Sequence, residues 1–109
     1  MNPQEKQQIT RVAGELSTAI KQQARGRWQK VRTAERREHG RHVWRFQSGP
    51  GAGERFLHIE HGAMMQGKDA TARLLKQLKT GAWLDLLQEG PDNSVLLSRD
   101  GELTAFPRA

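Results

Sequence analysis

Cysteine is absent from this chain. That excludes disulfide bonds and thiolate metal sites, and it fits a reducing compartment. Long apolar runs are missing as well. Nowhere does the sequence approach the roughly 20 consecutive apolar residues that a membrane-spanning helix needs. The opening run MNPQEKQQ is polar and lacks the apolar segment of a secretory signal. The expected location is cytoplasmic, with no membrane partner. Internal repeats and long low-complexity tracts are also lacking. Hydrophobic residues make up 35% of the 109 residues. The expectation is one domain over residues 1–109, with a small and well-patterned core.

What the chain has in excess is positive charge. Eighteen Lys and Arg stand against twelve Asp and Glu, a net +6. The excess is concentrated in one stretch, Arg25 to Arg45, which reads RGRWQKVRTAERREHGRHVWR. It holds Arg25, Arg27, Lys30, Arg32, Arg36, Arg37, Arg41 and Arg45 against Glu35 and Glu38, so its net +6 equals that of the whole chain. Charge placed this sharply speaks to partners rather than to fold, and it points to an anionic one.

The elements follow from local pattern. Asn2 suits an N-cap, Pro3 the first helical position and Glu5 the third. Ile9, Val12, Ala13, Leu16 and Ile20 then recur at helical spacing, predicting an amphipathic helix over Pro3–Ala24. Gly26 is the expected stop. The basic stretch reads as two strands, Arg27–Thr33 and Arg41–Ser48, joined by Ala34–Gly40. A helix through TAERREHG is the weaker alternative, because that segment has no apolar stripe to bury. SGPGAGE, from Ser48 to Glu54, is rich in glycine and reads as a loop. Glycine-rich loops can cradle phosphate, but no Lys-Ser/Thr follows here and no helix opens after it.

Arg55–His61 is the next expected strand. Paired about the loop centre, it sets Phe46 opposite Phe56, Trp44 opposite His58 and His42 opposite Glu60. Those six then share one side of the sheet, with Arg41, Val43, Arg45, Leu57 and Ile59 on the other. Both sides are partly apolar, so the pattern does not choose the core, and a one-residue slip exchanges them. Asp69 suits the N-cap of a second helical region over residues 69–89, kinked or broken at Thr80-Gly81 and ended by Gly90-Pro91. SVLLS and ELTAF, around Arg99-Asp100-Gly101, predict a C-terminal hairpin. The fold class is α+β: an N-terminal helix, a three-stranded antiparallel meander, one kinked or two short helices, and a β-hairpin. An antiparallel sheet with helices on one face is expected.

The basic hairpin is the leading functional feature. Lys and Arg neutralise phosphates, and aromatic rings stack on unpaired bases. The candidate nucleic-acid-binding residues are Arg25, Arg27, Trp28, Lys30, Arg32, Arg36, Arg37, Arg41 and Arg45. Trp28 shares strand parity with Lys30 and Arg32, which makes it a candidate stacking platform; the plain alternative is a core or rim anchor. The expected function is non-catalytic binding of DNA or RNA, with no cofactor and no metal. The alternative is a protein-interaction or assembly module that meets an acidic protein partner or forms a homo-oligomer. An apolar surface around Ala82–Leu87, with Trp83, Met64 and Met65, would serve that reading if exposed. A winged helix over Asp69–Phe106 is disfavoured because its second helix, AWLDLLQE, is apolar and acidic. A third reading uses convergence of His42, His58 and Glu60, as metal ligands or as an acid–base set for cleaving RNA. Its plain alternative is ordinary cross-strand pairing.

Overall fold

The computed structural model describes residues 2–28, 31–47, 54–65, 67, 69–89 and 93–107. Lys30, most of the glycine-rich loop and Gly90-Pro91 lie outside the described residues.

Helix α1 spans Pro3–Arg27. Its start is the expected one. The Asn2 side chain accepts from the Glu5 N–H at 2.8 Å, and the Glu5 carboxylate accepts from the Asn2 N–H at 3.3 Å. Two of the otherwise unpaired first-turn donors are thereby satisfied. Its end is later than expected, because the helix runs through Gly26. Arg27 holds the last turn in place by donating to Asp85 at 2.9 Å and to Gln88. Trp28 then caps the helix in an extended conformation, its N–H reaching the Ala24 carbonyl at 2.8 Å. Arg25 and Arg27 are therefore helical residues.

The strands are β1 (Arg32–Glu38), β2 (Arg41–Gln47) and β3 (Glu54–Glu60). The segment expected to connect two strands is itself β1. Only His39-Gly40 turns the chain, with Gly40 at φ 78°, a left-handed conformation that glycine adopts without steric cost. The helical alternative through TAERREHG is likewise not formed. Three helices follow: α2 (His61–Met64), α3 (Ala70–Lys79) and α4 (Ala82–Gln88). The break at Gly81 is as expected, at φ 75°. Asp69 stands at the cap of α3 but makes no capping hydrogen bond through its side chain. The chain ends in the expected hairpin, β4 (Asn93–Leu97) and β5 (Leu103–Pro107).

All five strands form one sheet in the order β1-β2-β3-β4-β5. The expectation of a wholly antiparallel sheet is corrected at one seam, where β3 and β4 run parallel. The helices between them carry the chain back to its starting end, and such a return gives a parallel neighbour. The α+β class holds.

The helices pack on one side of the sheet. There α1 buries Ile9, Val12, Leu16 and Ile20 against Trp44, Phe46, Leu57, Ile59, Val95 and Leu97. Trp83 and Leu87 of α4 and Leu74 and Leu78 of α3 complete this core. Trp83 is 1% exposed, with its indole N–H 3.1 Å from the Leu78 carbonyl. The Ala82–Leu87 face is therefore core rather than a free surface, and Met64 is buried with it. One polar chain crosses the layers. The Trp44 indole donates to Ser17 at 2.9 Å, and the Ser17 hydroxyl donates to the Glu35 carboxylate. A buried indole N–H left without an acceptor would cost about 1–3 kcal/mol, so Ser17 suits this face better than an alanine would.

Candidate nucleic-acid interface

Strand register decides which side chains meet. β2 and β3 pair Phe46 with Arg55, Trp44 with Leu57 and His42 with Ile59. This is one residue away from the expected pairing, so the two sets of β3 residues exchange sides. The correction separates the proposed catalytic group. His42 lies on the helix-covered side with Trp44, whereas His58 and Glu60 lie on the other side with Val43 and Arg41. The physical reason is burial. Leu57 and Ile59 are fully buried and take the places under α1 that Phe56 and His58 would otherwise occupy. Among the described residues, no group of three or more His, Asp or Glu is placed to hold a metal ion.

The three partly or fully buried histidines have different surroundings. His42 is 7% exposed, stacks on Trp44 at 4.7 Å and has Nε2 3.6 Å from Glu35. His61 opens α2 at 4% exposure, its backbone N–H bonded to the Gly40 carbonyl at 2.9 Å. His58 is half-buried on the open side, beside Phe56 and Phe106. Burial holds all three imidazoles below the ordinary value of 6.5. Glu35 opposes the shift at His42, Arg41 adds to it at His58 and Arg37 adds to it at His61.

The nine residues singled out in the sequence do not form one surface. Arg25 is exposed on the last turn of α1. Arg27 is engaged with Asp85 of α4. Trp28 is a half-buried anchor: its ring lies 6.0 Å from Phe46, and the Arg55 guanidinium lies 5.6 Å from its centre. It is not the exposed platform expected from strand parity, because it sits on a helix cap. Lys30 is not among the described residues. Arg37 belongs to the covered side and donates to Thr10 of α1 at 2.8 Å.

Arg32, Arg36, Arg41 and Arg45 do come together. Alternation places all four on the sheet side that the helices leave open. Arg41 lies between Glu38 and Glu60 on neighbouring strands, and Arg36 pairs with Glu38 at 2.6 Å. Among the described residues, Arg32 and Arg45 form no ion pair. The open side is thus most positive toward the Arg32, Arg36 and Arg45 end of β1 and β2.

These arginines stand over an apolar floor. Val43 is 1% exposed and Phe56 is 6% exposed, yet neither belongs to the helix-packed core. Arg36 and Arg45 line the hollows beside them, and the Arg36 guanidinium lies 5.9 Å from the centre of the Phe56 ring. Long basic side chains cover apolar surface with their stems while their heads stay in water. Toward β5 the floor continues through His58, Leu96 and Phe106, all only half-buried. A hollow of about 350 Å3 lies here, lined by Arg36, Arg45, Glu54, Phe56, His58, Ser94 and Phe106. The sequence reading missed Phe56, His58 and Phe106 as a group. The alternation in ERFLHIE was the available signal, but it does not say which parity faces the helices.

Comparison with known proteins yields no match: no family model, no curated protein and no solved structure. No helix among the described residues is long and apolar enough to cross a membrane.

Proposed function

We propose that this chain binds nucleic acid through the open side of its sheet, with Arg32, Arg36 and Arg45 as the phosphate contacts and Arg41 at their edge. This reading keeps the function expected from the sequence and moves its site. The basic stretch acts through alternate residues of β1 and β2, while Arg27 and Arg37 bond to α4 and α1. One observation carries the proposal. Four helices pack on one side of a five-stranded sheet, and the other side is left to arginines standing over apolar and aromatic residues. A guanidinium offers a planar fork of donors that suits phosphate oxygens. The net +6 of the chain favours an anionic partner at long range.

The test is binding of labelled oligonucleotides by the full chain across a salt series. Each neutralised phosphate should contribute about −0.9 on duplex DNA, or about −0.7 on a single strand, to the slope of log affinity against log salt. The double variant R36Q/R45Q should lower the magnitude of that slope by roughly 1.4 to 1.8. Absence of binding at low salt, or a slope unchanged in the double variant, would overturn the proposal.

A further inference from the structure

The open side of the sheet is divided, and the division implies which part of a nucleic acid lies where. Its cationic half is β1 and β2, with Arg32, Arg36 and Arg45. Its aromatic half is β3 to β5. There the centres of the Phe56 and His58 rings lie 6.3 Å apart, and those of His58 and Phe106 lie 5.6 Å apart. The three rings form a strip that runs along β3 and passes over β4 to β5. His58 and Phe106 are half-exposed, which leaves ring surface accessible. His58 Nδ1 is buried and has no hydrogen-bond partner among the described residues. Glu54 lines the same hollow.

Resting on the phosphate-binding reading above, we infer that the ligand is a single strand of nucleic acid whose unpaired bases stack on Phe106 and His58 while its phosphates follow Arg32, Arg36 and Arg45. A duplex keeps its bases stacked on one another and offers the aromatic strip only its edges. A single strand can present base faces to the rings and phosphates to the guanidinium groups at the same time. Stacking of this kind tolerates any base, because every base has a π-face. Modest sequence selectivity follows. The hollow is walled by Arg36 on one side and Phe106 on the other, so a base entering it meets a guanidinium as well as a ring. That guanidinium already lies over Phe56 and can swing onto the base, exchanging one cation–π contact for another.

The experiment compares single-stranded DNA, single-stranded RNA and duplex of the same sequence, each of about 12 nucleotides, a length within the known site sizes of stacking platforms. Binding is measured for the native chain and for F106A and F106W. The expected result is tighter binding of a single strand than of duplex. F106A should weaken single-strand binding about tenfold, within the range that loss of one stacked base produces. Duplex affinity and the salt slope should not change, and F106W should retain single-strand binding. Melting temperatures check each variant, and H58L provides the same comparison if F106A fails to fold. Equal affinity for single strand and duplex, with no effect of F106A, would overturn the stacking inference while leaving the phosphate reading intact. Failure of the native chain to bind any of the three would overturn both.

Discussion

The two sides of this sheet are built from similar residues and covered by different means. On one side, Trp44, Phe46, Leu57 and Ile59 lie under α1 and α4, and all are at most 2% exposed. On the other, Val43 and Phe56 are also buried, with the arginines Arg36 and Arg45 beside them. A helix covers apolar surface with apolar surface and stays in place through many contacts. An arginine covers it with a flexible stem and presents a charge above it. The first arrangement makes a core. The second leaves exposed charges above a buried apolar patch. Burial alone does not distinguish core from site; what provides the burial does.

Removing a large ring from the helix-covered side should give the largest loss of stability. W44A deletes a fully buried indole and leaves the Ser17 hydroxyl without its donor. The expected cost is about 3–5 kcal/mol, read from chemical denaturation. An equally severe loss of stability in R36Q/R45Q would break the comparison, because it would make the arginines part of the core. These two exposed changes should instead leave stability within about 1 kcal/mol and act on the salt slope of binding.

The histidines sharpen the comparison through pH. His42 and His61 on the covered side, and His58 on the open side, are all held neutral by burial. The unfolded chain takes up protons as pH falls through about 6.5, whereas the folded chain takes them up only at lower pH. Stability is therefore full above that value and declines as pH drops toward the lowered folded values. Thermal melts at pH 7.5 and 5.5 should give the lower melting temperature at 5.5. H61L should reduce the difference, because it removes a buried imidazole with no partner for either nitrogen among the described residues. An unchanged difference in that variant would mean that other groups cause the pH dependence. The last change lies at the far end of the covering helix. N2A removes the capping box of α1 and should cost about 1 kcal/mol in denaturant melts, with oligonucleotide binding unchanged.

Some of this was legible in the residues alone, and some was not. The apolar stripe of α1, its capping pair, the break at Gly81 and the Asp-Gly hairpin were all readable, because each depends on residues a few positions apart. The end of α1 was not. Gly26 looked like a stop, but Arg27 bonds to Asp85, fifty-eight positions away, and this contact holds the last turn. The site was half legible. The arginine excess was plain, yet three of the seven arginines in Arg25–Arg45 serve the fold or lie elsewhere, and the aromatic strip was hidden by a register that could be drawn two ways.

By itself, then, the sequence determined the helix faces, the turns and the net charge of the chain, because these follow from covalent neighbours and composition. Only the tertiary structure decided the one-residue register between β2 and β3, the parallel seam between β3 and β4, and the side of the sheet on which the helices settled. Those choices rest on competition for one buried surface. Leu57 and Ile59 occupy it fully, so Phe56 and His58 face outward with the arginines. No local pattern expresses that competition, because its terms are contacts between segments far apart in the chain.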